Sequence, residues 1–350
     1  MTTVACPNYA AIMLCRFFLG MLESAIAPVF TVIVTFWWTC DEQALRNGMW
    51  YGCVGIATTV SPLINYALGH IHGNVGFWKA MFLFLGAVTF GWSFVLFVFL
   101  PDSPLTITYL SGGEKRIALA RLERNKTGTI SNKFNKKQFF EALRDYKTYS
   151  CALIVLLTGI PSGALGNFTP IVIHDFGFDS FDSLALTYPF GAITAISIFF
   201  VGYITHKLRN SRYLLRNICA LISIAGLLFA GIYLLALQVA TGSLAVSIVS
   251  SNVAGRTKKR TVSAAVFVGY SIGTVIRPLI FGASSRPLYY AGFLGSLISL
   301  VAVVVVVMII FTLLYRENKR RDNLYVHQEG SQFVEEDLTD KENKDFRYLL

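Results

Sequence analysis

The sequence predicts an all-α fold, a polytopic helical bundle that crosses a membrane many times. Of its 350 residues, 54% are apolar and only 14% are charged, whereas about 25% of the residues in soluble proteins are charged. The apolar residues form long continuous stretches, and the basic residues lie in short runs between them. Such a chain cannot cover its own surface with polar groups. This excludes a collagen, a coiled coil, a disordered chain and, despite the net charge of +10, a soluble nucleic-acid-binding protein.

Nine stretches reach or approach the roughly 20 mostly apolar residues that a membrane-spanning helix needs. Three precede a long hydrophilic segment and six follow it. Barrel strands are excluded because they alternate in polarity, whereas residues 300–314 are apolar throughout except for Thr312. The seventh stretch is the weakest, since it is short and contains several small polar residues. In order, the stretches are 17–38, 47–69, 78–100, 151–173, 183–204, 217–237, 239–254, 261–282 and 289–315.

The distribution of Lys and Arg predicts the orientation. Alternate loops carry most of the 30 basic residues, and the loops between them carry only Lys79 and Arg286. Because loops rich in Lys and Arg stay in the cytoplasm, the hydrophilic segment and the C-terminal tail are predicted to be cytoplasmic. Nine spans then place the N-terminus outside. The glycosylation sequon at Asn125 faces the cytosol and is expected to stay unmodified.

The chain divides into four parts. Residues 1–100 form a first helical group and residues 151–315 a second. Between them, residues 101–150 form a cytoplasmic loop with a short helix around 114–124. The tail, 316–350, mixes acidic and basic residues, so we expect it to be disordered and regulatory.

No pattern in the sequence indicates catalysis. The chain contains no metalloprotease, nucleophile-elbow or phosphate-loop motif. Its six cysteines are scattered without a C-x-x-C pair, which argues against a disulfide framework and a zinc site. We therefore predict no catalytic residue, no metal and no cofactor, and we do not expect an enzyme.

Arg16 and Glu23 are the charged residues of the first predicted helix. Seven residues are nearly two helical turns, so both side chains lie on one face, about 10 Å apart along the axis. Arg16 could bind a substrate carboxylate through two hydrogen bonds, and Glu23, desolvated, could carry a coupled proton. In the alternative interpretation, Arg16 extends to the outer interface and Glu23 bonds a neighbouring helix.

Two further polar residues interrupt apolar stretches. Asn167 lies in the fourth predicted helix, where an interruption either lines a site or marks a packed kink. Arg277 precedes Pro278 in the eighth predicted helix and requires a counter-charge or water, for which Glu23 is one candidate. The glycines of these helices, such as Gly159, are interpreted as close-packing positions.

Six stretches together resemble one transporter family. Residues 16–24, with the sequence RFFLGMLES, resemble the fourth-helix signature of the anion:cation symporter branch of the major facilitator superfamily. The likeness is greatest to fungal allantoate permeases and to their relatives that transport nicotinate and other carboxylates. The further stretches are 100–104, 159–168, 202–212, 249–259 and 316–322.

The resemblance implies a fold of twelve helices in two halves that alternate access to a central cavity. The nine predicted helices correspond to the fourth to twelfth of that family, so the chain corresponds to about nine of twelve helices and is expected to transport poorly alone. Arg16 corresponds to the family's anion-binding residue, Glu23 to its proton-coupling residue and Asn167 to a cavity residue. Arg277 stands where the family usually has Gly.

The function expected from this resemblance is proton-coupled symport of a small organic anion, such as allantoate or nicotinate, across a fungal plasma membrane. The expected partners are the anion, protons and the lipid bilayer, without nucleic acid. The alternative is a non-transporting membrane receptor or regulator that uses the central loop and the tail as a partner surface.

Overall fold

A computed structural model describes residues 2–69, 76–101, 110–123, 134–163, 177, 188–208, 211–228, 233–280, 290–324, 337–343 and 346–350. Within these ranges every regular element is a helix. The prediction of an all-α fold is therefore confirmed.

The first half consists of four helices. They are α1 (Tyr9–Glu23), α2 (Ile26–Trp37), α3 (Cys40–Gly69) and α4 (Phe77–Phe99). The first predicted span was wrong in its start, because residues 9–16 are apolar apart from Arg16 and extend the helix. Ser24 separates α1 from α2, and its hydroxyl donates to the Met21 carbonyl over 2.7 Å.

Two short helices lie in the described part of the loop between the halves. The predicted one is α5 (Gly112–Glu123), and it begins with a capping box. The Ser111 amide and hydroxyl both donate to the Glu114 carboxylate at 2.9 Å. These two bonds hold the pKa of Glu114 below its usual range. The second, α6 (Lys136–Arg144), was not predicted; the Asn135 side chain caps it by accepting from the Lys137 amide over 3.0 Å.

The described part of the second half contains six α-helices. They are α7 (Tyr146–Gly163), α8 (Tyr188–Lys207), α9 (Arg212–Leu228), α10 (Leu237–Asn252), α11 (Arg256–Ile280) and α12 (Tyr290–Leu324). Ile154, Val249, Val266 and Val307 belong to its core, which α7, α10, α11 and α12 enclose.

Each of the nine predicted spans coincides at least partly with a helix of the described chain. Six segments of that part are long and apolar enough to cross a membrane. The other three predicted spans, 47–69, 151–173 and 217–237, coincide at least partly with α3, α7 and α9. The six are Tyr9–Thr35, Trp78–Phe99, Tyr188–Lys207, Leu234–Asn252, Arg256–Ile280 and Tyr290–Asn323.

The helix with the weakest sequence signal is the most enclosed of these segments. In Leu234–Asn252, 83% of the apolar window is buried, against none in Trp78–Phe99. Most of its hydroxyls bond within the helix, as that of Ser243 does by donating to the Ala240 carbonyl over 2.9 Å. Its modest apolarity therefore reflects contact with protein rather than lipid.

The tail is not disordered as a whole, which makes that part of the prediction wrong. Residues up to Leu324 continue α12, and residues 337–343 and 346–350 return to the bundle, with 325–336 and 344–345 outside the described ranges. Asp340, Phe346 and Tyr348 are all buried there. Two aromatic rings and several ion pairs hold these residues against the bundle. The mixed-charge composition of the tail does not reveal these contacts.

Candidate transport pathway between the two halves

The two halves meet along α3 and α8, which approach closely through small residues. A Cβ at Gly48 would lie 3.3 Å from the Cα of Gly202. A side chain at Gly55 would overlap the backbone of Ala195, and a Cβ at Gly191 would lie 2.7 Å from the Thr59 amide nitrogen. Such contacts bring two helix backbones together as small-residue motifs do in membranes.

A second close contact joins α7 to α11 inside the second half. A side chain at Gly273 would overlap the Leu156 carbonyl, and a Cβ at Gly159 would lie 3.2 Å from the Tyr270 carbonyl oxygen. The interpretation of Gly159, Gly191, Gly202, Gly269 and Gly273 as packing positions is confirmed. This packing places the polar residues of α7 beside those of α10.

Neutral polar side chains join the halves at the helix ends that the Lys and Arg distribution predicts to be cytoplasmic. The Asn47 amide of α3 donates to the Ser250 hydroxyl of α10 over 3.2 Å, and the Ser251 hydroxyl lies 3.5 Å from the Gln43 side-chain oxygen. These four residues are all buried. Arg212 at the start of α9 donates to the Ser251 hydroxyl. We call the four residues Gln43, Asn47, Ser250 and Ser251 the cytoplasmic closure.

A fully buried cation lies deeper in the second half. Arg216 of α9 has no exposed surface. Its Nε donates to the Thr241 carbonyl over 3.1 Å, and its Nη2 donates to the Thr158 hydroxyl over 3.0 Å. Gln238 extends the cluster by donating to the Thr158 carbonyl over 2.8 Å. We call Thr158, Arg216, Gln238 and Thr241 the Arg216 cluster.

The hydrogen-bonding capacity of this cluster is not exhausted. Among the described residues, Arg216 Nη1 and Gln238 Oε1 are buried without a hydrogen-bond partner, and no carboxylate forms an ion pair with Arg216. A buried guanidinium without a counter-charge is costly, so the cluster strongly favours an anion.

The Arg216 cluster adjoins the contact between the halves. The hydroxyl of Tyr51, on α3, lies 2.7 Å from the position that a Cβ would take at Gly242, the residue after Thr241. The cluster therefore lies one residue from a side chain of the first half. Motion between the halves would change its surroundings.

Comparison with known proteins identifies the family of this chain. The model of the Major Facilitator Superfamily matches residues 1–278. The chain belongs to this superfamily. Its membrane-spanning helices and its two packed halves are those of a major facilitator transporter, and the protein is a multi-pass membrane protein.

Similar proteins support this assignment. The chain is 34% identical to Uncharacterized transporter C757.13 of Schizosaccharomyces pombe, over 98% of this chain and 69% of that protein. It is 28% identical to the Allantoate permease of Saccharomyces cerevisiae, over 98% of this chain and 68% of that protein. The crystal structure of the human organic anion transporter MFSD10 has the same fold, with a TM-score of 0.59 and 14% identity over 87% of this chain and 73% of that one.

Two predicted site residues of this major facilitator chain lie away from the Arg216 cluster. Arg16 is exposed on α1, and its Cζ lies 5.1 Å from the ring centroid of Phe82 on α4. Glu23 is the last residue of α1 and is also exposed. The structure thus leaves exposed two side chains that were expected to be buried. Their roles in binding and proton coupling stay predictions.

The other two polar positions are described only in part. Asn167 lies outside the described residues. Arg277 lies within α11, while its side chain lies outside the described part of the chain.

Sequence reasoning assigned Arg216 to a cytoplasmic loop because it follows Arg209 and Arg212 closely. The helical period gave a signal that could have found it. Arg216 shares one face of α9 with Ala220 and Ser223, at i, i+4 and i+7, and all three are buried. A basic residue on the inward face of an otherwise apolar helix indicates a bundle interior rather than a loop.

Proposed function

We propose that the chain moves a small organic anion across the membrane by alternating access, coupled to protons. The observation that carries this proposal is the Arg216 cluster, a buried cation with an unused donor beside the contact between the halves. A carboxylate matches a guanidinium in charge and geometry. Allantoate and nicotinate are suitable members of this class, and one similar protein is an allantoate permease. The plasma membrane is the proposed location, and no enzyme activity is proposed.

The neutral character of the cytoplasmic closure supports alternating access. A single neutral hydrogen bond contributes about 0.5–1.5 kcal/mol, so the bonds of Asn47 and Gln43 across the closure can open at moderate cost. Charged pairs at the same place would resist separation more strongly. The closure therefore suits a contact that forms and breaks in every cycle.

Proton coupling is assigned to Glu23 and further substrate contact to Arg16 and Asn167. Glu23 is the last residue of α1 and lies inside the membrane-spanning segment Tyr9–Thr35, where an acidic side chain is costly and usually functional. Its assignment is independent of the assignment of Arg216, because the two residues lie in different halves. The two roles can be tested separately.

Uptake of radiolabelled allantoate and nicotinate tests the transport function in yeast cells that lack their own permeases. The expected result is weak uptake that increases as the external pH falls and stops with a proton uncoupler, because the chain alone is expected to transport poorly. Glu23→Gln should abolish accumulation while binding remains. Uptake unaffected by the uncoupler would contradict proton coupling.

Binding to the purified 350-residue chain is measured in parallel, because the resemblance implies nine of twelve helices. Binding together with accumulation supports the transporter. Binding without accumulation, if it survives Glu23→Gln and shows no pH coupling, supports the receptor alternative. Absence of binding by any small carboxylate would contradict the assigned substrate class.

A further inference from the structure

The last segment of the chain lies on the cytoplasmic end of the second half. We call residues 337–350 the tail segment. Its contacts come from six helices, namely α6, α7, α9, α10, α11 and α12. The residues that receive it, which we call the docking face, are Gln138, Lys147, Asn252, Lys258, Asn318 and Arg321.

Asp340 is the ionic anchor of the tail segment. It has no exposed surface. Its carboxylate pairs with Lys147 and lies 2.7 Å from Lys258 Nζ. The Tyr348 hydroxyl donates to the same carboxylate over 2.9 Å and lies 2.6 Å from Lys147 Nζ. Asp340 thus binds both lysines, and it shares Lys147 with Tyr348.

Lys258 also neutralises a group of carboxylates beside Asp340. Glu141, Asp145 and Asp340 bring their carboxylates close together. The Lys258 ammonium lies 2.7 Å from the Glu141 oxygen and 2.8 Å from an Asp145 oxygen. It occupies the position that a cation would take, so the group is an ion-pair network that recognises a peptide.

Two asparagines form hydrogen bonds with the backbone of the tail segment. Asn252 donates to the Leu349 carbonyl over 2.9 Å and accepts from the Leu349 amide over 2.7 Å. Asn318 does the same to Tyr348, at 2.8 and 3.0 Å. Consecutive residues are therefore held by paired amide contacts, which resemble the main-chain bonds of bound extended peptides.

Arg321 completes the recognition. Its guanidinium donates to the Asp340 carbonyl over 3.0 Å and to the Phe346 carbonyl over 2.9 Å. Phe346 packs into the core cluster of the second half. The contacts combine backbone recognition with fixed pockets for one acidic and two aromatic residues.

We propose that the docking face is a binding site for an acidic–aromatic peptide, occupied in this chain by its own tail segment. The site combines polar side chains that hold the backbone of the segment with the apolar cluster into which Phe346 and Tyr348 pack. Because the segment belongs to the same chain, its binding is intramolecular, with an effective concentration on the order of millimolar. Binding in cis therefore excludes a free peptide at lower concentration.

The site lies next to the cytoplasmic closure. Asn252 follows Ser251, and the Arg212 amide donates to the Leu350 carbonyl over 3.3 Å. Arg212 also donates to the Ser251 hydroxyl. The docked tail segment therefore fixes the start of α9 and the end of α10. These two helix ends form the part of the cytoplasmic closure that belongs to the second half.

Peptide competition on the full chain tests the proposal. A fluorescent peptide of residues 337–350 is added at micromolar concentration to the purified wild-type chain and to the chain carrying Asp340→Asn together with Tyr348→Ala. The wild-type chain should not bind the peptide, because its own segment fills the site. The double variant should bind it at least about tenfold more tightly. Arg320→Met, at a side chain of α12 that is 70% exposed and outside the docking face, should behave as wild type.

Hydrogen exchange of the same proteins supplies an independent readout. The Tyr348 and Leu349 amides, which donate to Asn318 and Asn252, should be protected in wild type and exposed in the double variant. Adding Asn252→Ala to the double variant should abolish peptide binding while the transmembrane amides stay protected. The proposal is overturned if the wild-type segment exchanges like a free peptide, or if the folded double variant binds no peptide.

Discussion

Replacing Arg216 by Met should remove anion binding without destabilising the protein. Arg216 donates two hydrogen bonds, to Thr241 and Thr158, and bonds from a charged donor contribute about 1.5–3 kcal/mol each. The cost of burying an unpaired guanidinium is of similar size, several kcal/mol. The two terms nearly cancel.

The partners of Arg216 also tolerate its loss. The Thr158 hydroxyl still donates to the Ile154 carbonyl over 2.6 Å, and the Thr241 carbonyl lies within α10. Replacing buried charges by apolar residues of similar volume is often neutral or stabilising by about 1–4 kcal/mol. We therefore expect Arg216→Met to leave the free energy of unfolding unchanged or to raise it by about 2 kcal/mol.

Thermal unfolding in detergent, followed by tryptophan fluorescence, measures this effect. The control is Arg320→Met on α12, whose side chain is 70% exposed and should be neutral. A fall in the unfolding midpoint of about 5 °C or more for Arg216→Met would refute the reasoning. It would mean that Arg216 is a structural residue whose hydrogen bonds outweigh its desolvation.

Three further predictions follow from the packing, the closure and the tail. Gly55→Val should lower the unfolding midpoint because its side chain overlaps the partner helix backbone, whereas Gly91→Val, with nothing within 4 Å, should not. Asn47→Leu should weaken the closure by about 1 kcal/mol, or about fivefold in the open population, measured by electron-spin distances between the cytoplasmic ends of α3 and α10. Desolvation opposes ionisation of Asp340, but Lys147 and Lys258 outweigh it and lower its pKa. Its contribution to tail docking is therefore complete above pH 3.8 and is lost only as the pH falls through the lowered value. Binding of the 337–350 peptide to the double variant should stay constant from about pH 7.5 to pH 5. Weaker peptide binding within that window would contradict the role assigned to Asp340.

The sequence predicts the helical architecture because apolarity over a bilayer's thickness admits few alternatives. Each predicted span coincides with a helix, and residues 239–254 show the limit of the signal. Hydropathy measures contact with lipid, so the helix most enclosed by protein has the weakest apolar pattern. Boundaries were less accurate where helices continue beyond the membrane, as α12 does to Leu324.

The candidate site was less predictable than the fold. Arg216 was hidden among the basic residues of a loop, since a count of charges does not say which face of a helix carries them. The docked tail segment depends on contacts with residues about 100 to 200 positions away, such as Asn252 and Lys147, which no local pattern reveals. Arg16 and Glu23 were chosen by residue type and resemblance, and the structure leaves them exposed.

Equilibrium binding of a radiolabelled carboxylate to the purified chain tests the central claim most directly. Wild type and Arg320→Met should bind nicotinate or allantoate with the same affinity, and Arg216→Met should lose at least about tenfold. Arg216→Lys should fall between them, because it keeps the charge and loses the paired donors. Undiminished binding by a folded Arg216→Met chain would contradict the account.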